Sequence, residues 1–180
     1  VEMLPRVMPE IAAENGFRLR RWELTDRELL REVSVDPYIP LITTVPAPYS
    51  DAEADAFVRR QWMRTEIGTG YPFVIEAPDG RAVGNVGLWV GELPLRGFAT
   101  AGYWVAAGAR GRGVALAGLN AVTAWALGEL ALPRVELFVE PWNAGSLRTA
   151  EKAGYRRETL VPAYQEVAGE PRDMWRFALP

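Results

Sequence analysis

Residues 101–130 constrain the fold more than any other part of the chain. Residues 101–107 are an apolar run of strand length, and 109–113 are rich in Gly and Arg. Residues 114–130 are almost without charge, with Ala115, Leu119, Val122, Ala126 and Leu130 on one helical stripe. So apolar a helix must be buried over much of its surface, and a sheet is the face broad enough to cover it. The sequence therefore predicts a strand, a glycine-rich turn and a helix lying on that strand's own sheet. At such a turn several main-chain N–H groups converge, with the positive end of the helix dipole behind them, an arrangement that binds phosphate. Glycines let a ligand approach the backbone closely, and Arg110 and Arg112 add charge at the rim. A plain turn with solvated arginines is the alternative. A Walker loop fits poorly, since Gly113-Val114-Ala115 lacks both Lys and hydroxyl, as does a dinucleotide fingerprint, since Leu116 stands where a third small residue is needed.

The other segments extend this unit into a mixed α/β pattern. Residues 17–24 alternate as a half-buried strand, and Thr25-Asp26-Arg27-Glu28 has capping-box spacing before a short helix to about Val33. The segment 36–49 contains Pro37, Pro40, Pro46 and Pro48 and reads as a long loop. Ser50-Asp51-Ala52-Glu53 opens a second helix to about Ile67, and strands at 72–77 and 82–90 flank the turn Pro78-Asp79-Gly80-Arg81. A strand at 134–140, a helix from Asn143 to Gly154, and a hairpin of 163–167 with 172–179 complete the order. Residues 1–15 read as a ragged end to a single domain covering 1–180.

Composition narrows the chemistry. The 180 residues are 49% hydrophobic and 24% charged, carry a formal net charge of -3, and include neither cysteine nor histidine. That excludes a thiolate nucleophile, a Ser-His-Asp triad, a disulfide framework and any ordinary zinc, haem or iron-sulfur site, so no metal is expected. Without a Lys/Arg-rich run there is no footprint for nucleic acid or an anionic membrane, and no apolar run approaches the roughly 20 residues of a membrane span. With no signal-peptide pattern at the start, the expectation is a cytoplasmic protein.

Arg110-x-x-Gly113-x-Ala115 after a strand resembles the Q/R-x-x-G-x-G/A pyrophosphate loop of the GNAT N-acetyltransferases. Asn143-Ala144-Gly145-Ser146 followed by Glu151-Lys152-Ala153-Gly154-Tyr155 is similar to the N-x-x-S...E-K-x-G-F signature of the RimJ/RimL-like branch, the ribosomal-protein alanine acetyltransferases. Residues 44–49, 102–105 and 172–175 match that branch too, so the resemblance covers roughly residues 17–179. It implies a mixed, mostly antiparallel sheet of about seven strands, splayed in the middle, with about four helices on both faces. It also implies an acetyl-CoA site between the strands 101–107 and 134–140. Trp104 and Val105 would line the pantetheine, and Arg110, Gly111, Arg112, Gly113, Val114 and Ala115 would hold the pyrophosphate. Asn143, which also suits a helix N-cap, would face the pantetheine.

Acyl transfer to an amine needs a proton source for the departing thiolate. Where many family members have a tyrosine this chain has Ala150, and the resemblance points instead to Ser146 as the acid, with a residue bonding its own helix end as the alternative. The branch's glutamate base falls on Gln165, next to Glu166, which a strand turns to the opposite face unless a bulge intervenes. Glu140 is another candidate base, with a solvated strand end as the alternative; no dedicated base is a third option, because a peptide α-amine has a pKa of only about 7.7–8.0. Tyr49, Tyr164 and Gln165 are the candidate substrate contacts. The expected function is direct acetyl transfer to a protein N-terminus or a small-molecule amine by a monomer or homodimer. The competing possibility is a CoA-binding sensor or accessory protein without turnover.

Overall fold

Short alternating segments punctuated by glycine and proline favour antiparallel neighbours, and six of the seven strand pairings among the described residues are antiparallel. The computed structural model describes residues 3–180. Its strands are Ile11–Ala12 (β1), Arg18–Arg21 (β2), Gly70–Glu76 (β3), Ala82–Trp89 (β4), Ala99–Val105 (β5), Val135–Val139 (β6), Arg156–Val167 (β7) and Glu170–Leu179 (β8). Among the described residues they form one eight-stranded sheet in the order β1-β2-β3-β4-β5-β6-β8-β7. The expected seven strands become eight because Ile11–Ala12, within the segment read as ragged, pairs with β2 through Ile11 and Leu19. Residues 1 and 2 of that segment lie outside the described residues.

The helices are Arg27–Val33 (α1), Ile39–Ile42 (α2), Asp51–Glu66 (α3), Leu93–Arg96 (α4), Val114–Leu127 (α5) and Ala144–Lys152 (α6). The four expected helices are α1, α3, α5 and α6; α2 and α4 are single turns. In α2, Pro40 sits in the first turn, where its missing N–H costs nothing. Ser50 caps α3 by accepting the Glu53 N–H, as the sequence predicts. The first expected capping box is displaced: Glu23 and Asp26 form it around a 3₁₀ turn, Leu24–Asp26. Asp26 is buried there and receives two hydrogen bonds from Arg20, at 2.9 and 3.0 Å.

Two buried clusters lie on the sheet's two faces. One joins the sheet to α5, with Leu119, Val122 and Ala126 at its centre. The other, built from Trp22, Leu29, Leu30, Phe57, Val58 and Trp104, lies under α1 and α3. All strand pairs are antiparallel except β5 with β6, which run parallel and pair only at Ala99–Val135 and Thr100–Glu136. Beyond Thr100 the two strands part, opening the predicted splay in the middle of the sheet. The final hairpin is longer than the sequence suggests, and a register shift between Val161 and Gln165, where Ala163 has φ +48°, bends β7.

Candidate active site

The gap between β5 and β6 has an open strand edge as one wall. The Ala106 N–H bonds to the Val83 carbonyl on β4. Antiparallel alternation then turns the Trp104 main chain toward β4 and the N–H and C=O groups of Tyr103 and Val105 into the gap. The Trp104 side chain is buried in the α1/α3 cluster, 6.1 Å from the Trp22 ring. Of the two strand residues expected to line the pantetheine, Val105 faces the gap and Trp104 belongs to the core.

β5 leads into the glycine-rich loop. Gly111 and Gly113 both have φ +76°, a left-handed conformation that glycine adopts without strain, and an added Cβ at either would meet nothing within 4 Å. The first bond into α5 runs from the Ala117 N–H to the Gly113 carbonyl. The N–H groups of Val114, Ala115 and Leu116 therefore have no partner within the helix and lie at its positive end. Arg112 is exposed.

Arg110 has a different placement from the expected rim position. Its Nε donates to the Val105 carbonyl at 3.0 Å and its Nη2 to Asp36 at 2.8 Å, bracing the loop against the segment before α2. Burial would raise the Asp36 carboxyl, but the N–H groups of Ile39 and Tyr38 together with Arg110 outweigh it and hold the carboxyl below its usual range.

Across the gap, Asn143 caps α6 by accepting the Ser146 N–H at 3.2 Å. Ser146 Oγ lies 2.8 Å from the Tyr103 hydroxyl. Burial pushes the Tyr103 phenol up to about 12, opposed in part by Ser146. The sequence reading missed Tyr103 as a site residue, although its position two residues before Val105 puts both on one strand face.

Glu136, Phe138 and Glu140 alternate onto the opposite face of β6. Glu140 is buried, not a solvated strand end. It accepts a short hydrogen bond from the Tyr38 hydroxyl, and Arg172 Nη1 lies 3.7 Å from it. Burial first, and Glu140 second, raise the Tyr38 phenol. Gln165 is opposite Arg172 in the hairpin, and Glu166 is exposed beyond it. Tyr164 stacks on Phe138, with ring centroids 3.9 Å apart and planes 5° from parallel. Tyr49 is engaged elsewhere: its hydroxyl donates to Asp51 at the start of α3, and Arg31 covers its ring. The structure thus places Tyr164 against Phe138 of β6 and Gln165 opposite Arg172 in the hairpin, and leaves Tyr49 with α1 and α3. Arg172 was not legible as a site residue, because it reaches Glu140 only through tertiary folding.

The acetyltransferase (GNAT) domain model matches residues 17–156. The Bacillus subtilis (strain 168) protein named "Probable N-acetyltransferase YjcK" is 32% identical over 107 residues, 59% of this chain. The match spans 59% of that relative's length, less than two thirds of it. Mycobacterium smegmatis RimJ, solved in complex with CoA-disulfide, has a TM-score of 0.83 at 26% identity, over 98% of this chain and 90% of its own. RimL, the ribosomal L7/L12 alpha-N-protein acetyltransferase solved with coenzyme A, has a TM-score of 0.80 over 95% of this chain and 97% of its own. At 16% identity that second likeness concerns the fold. A family match over residues 17–156, on a sheet that parts beside a glycine loop at a helix N-terminus, means that this chain belongs to the GNAT acetyltransferase family, with RimJ and RimL among its structural neighbours.

Proposed function

We propose that the chain transfers an acetyl group from acetyl-CoA directly to a primary amine, a protein N-terminal α-amine or a small-molecule amine, within a ternary complex. The observation that carries this reading is the pairing of Tyr103 with Ser146 across a gap that ends in the unpartnered amides of α5. Acetyl-CoA supplies the activated acyl group. The amides of Gly111, Gly113, Val114 and Ala115, with Arg112 beside them, hold its pyrophosphate, while Arg110 keeps the loop in shape. The free N–H of Val105, whose C=O is taken by Arg110, pairs with the pantetheine, and Asn143, its Oδ1 used in capping, turns its Nδ2 toward it.

The Tyr103 N–H, aimed into the gap, stabilises negative charge developing on the acyl oxygen. Ser146 gives its proton to the leaving sulfur, with Tyr103 fixing the hydroxyl's direction. The amine arrives on the α1/α3 face, where Glu140 takes up the proton released as the amide forms. An α-amine, with a pKa of about 7.7–8.0, enters partly neutral near pH 7, so the demand on this base is modest. Tyr164 and Gln165 line the acceptor's approach from the hairpin.

Acetyl-CoA is expected to raise the melting temperature, and amines are expected to drive release of free CoA thiol. Stabilisation by acetyl-CoA with no thiol release across N-terminal peptides and small amines would overturn transfer in favour of CoA binding without turnover.

A further inference from the structure

The face of the sheet under α3 carries a feature that the transfer centre does not account for. Arg64, Thr69, Trp89, Gly91, Glu92 and Thr100 line an open cavity of about 390 Å³. Trp89 is its floor, lying flat over two glycines: an added Cβ would come within 2.3 Å of its ring at Gly70 and 2.7 Å at Gly87. The Arg64 guanidinium lies 5.0 Å from the Trp89 ring centroid. Its Nη1 donates to the amide oxygen of Gln61 at 3.2 Å, and it pairs with no carboxylate among the described residues. Burial, and then the neighbouring Arg60, lower its pKa, so its charge is poorly compensated. Glu92, the acidic residue in the lining, is exposed and already paired with Arg96 at 3.1 Å.

A bare strip leads from this cavity toward the gap. Thr100, Gly102 and Trp104 share one face of β5, and Gly102 is opposite Gly87. Gly102 has no positive φ, and an added Cβ there would meet nothing within 4 Å. Neither backbone conformation nor packing requires glycine at this position, and glycine weakens a strand interior. A surface that a ligand must pass over does require it.

We propose that Arg64 binds an anionic group of the acceptor, a carboxylate or phosphate, while the acceptor's amine lies across Gly102 at the level of Tyr103. This deepens the acetyl-transfer reading and rests on it. Thr100 is three residues from Tyr103, about 10 Å along the strand. The substrate class is therefore an amine with an anionic group about 10 Å away. In an extended peptide that separation corresponds to an acidic residue about three positions from the N-terminus.

The test compares acceptors that differ only in charge: an N-terminal peptide with Glu against Gln at the third position, and an ω-aminoalkanoate of matching span against its amide. A KM about ten- to a hundredfold lower for the acid in either series supports the inference, and the series showing it identifies the source. Arg64→Gln should erase the preference, and Arg64→Glu should transfer it to a peptide with Lys at that position, a reversal that a merely structural role would not produce. Gly102→Leu should lower kcat/KM for every acceptor while acetyl-CoA still stabilises the variant. Equal KM values for acid and amide in both series, or wild-type turnover by Gly102→Leu, overturn the inference and leave acetyl transfer standing. Turnover of no acceptor overturns the transfer reading, and the inference with it.

Discussion

The Tyr103 hydroxyl lies 2.8 Å from Ser146 Oγ and 3.1 Å from the Ser146 carbonyl oxygen, joining the open edge of β5 to the first turn of α6. When the phenol donates to Oγ, the serine proton is left free for a leaving sulfur. Ser146→Ala should lower kcat about a hundredfold. Tyr103→Phe, which removes only the director of that proton, should lower it about three- to tenfold. Free CoA thiol release measures both, and unchanged kcat in Ser146→Ala would leave the residue as part of a helix end.

Burial also pushes the Tyr155 phenol up to about 12, with a hydroxyl partner in Thr123 at 2.7 Å. Both Tyr103 and Tyr155 ionise near pH 10 in the unfolded chain and near 12 in the folded one. The folded state then holds the extra protons, so stability falls as pH rises through this window and is unaffected by these groups below it. Denaturant midpoints between pH 9 and about 12 should drop less steeply in Tyr103→Phe than in wild type. Parallel curves would contradict the assignment.

Gly113→Ala places a Cβ on a residue with φ +76° but meets no neighbouring atom. Its structural cost should be the backbone strain, about 1–2 kcal/mol. If the proposed pyrophosphate site is right, acetyl-CoA affinity should fall by more than Arg112→Ala produces, because an added Cβ would crowd the amides proposed to hold the pyrophosphate. Calorimetric titration of the two variants checks the order.

Asp26 and Arg20 form a buried, doubly hydrogen-bonded pair that also engages Glu76. Asp26→Ala would leave the Arg20 charge short of its main partner, and stability should fall by about 3–5 kcal/mol. Urea unfolding tests this, and a loss below about 1 kcal/mol would show that Glu76 alone satisfies the arginine.

The elements that position the cofactor end of the site were readable because each rests on local chemistry. Gly111 and Gly113 announce a turn open to close approach, an uncharged helix announces its burial, and Asn143 three residues before Ser146 announces a cap. The displaced capping box at Glu23 and Asp26 was not readable, since Arg20 draws Asp26 into the core and fixes which carboxylate serves the turn. Strand β1 was hidden for a similar reason: two residues carry too little pattern, and only the edge of β2 makes them a strand.

By itself, the sequence determined the strand-turn-helix unit, the absence of histidine and cysteine chemistry, and the serine at the start of α6. Only the tertiary structure decided that Trp104 packs in the core while Tyr103 meets Ser146, that Arg110 braces Asp36, and that Glu140 is buried between Tyr38 and Arg172. The physical reason is that turns and caps are made by neighbours in the chain. The direction of a strand's free edge and the partner of a buried charge are instead fixed by residues far away in the chain, such as Tyr38 and Glu140, which meet only when the sheet has closed around them.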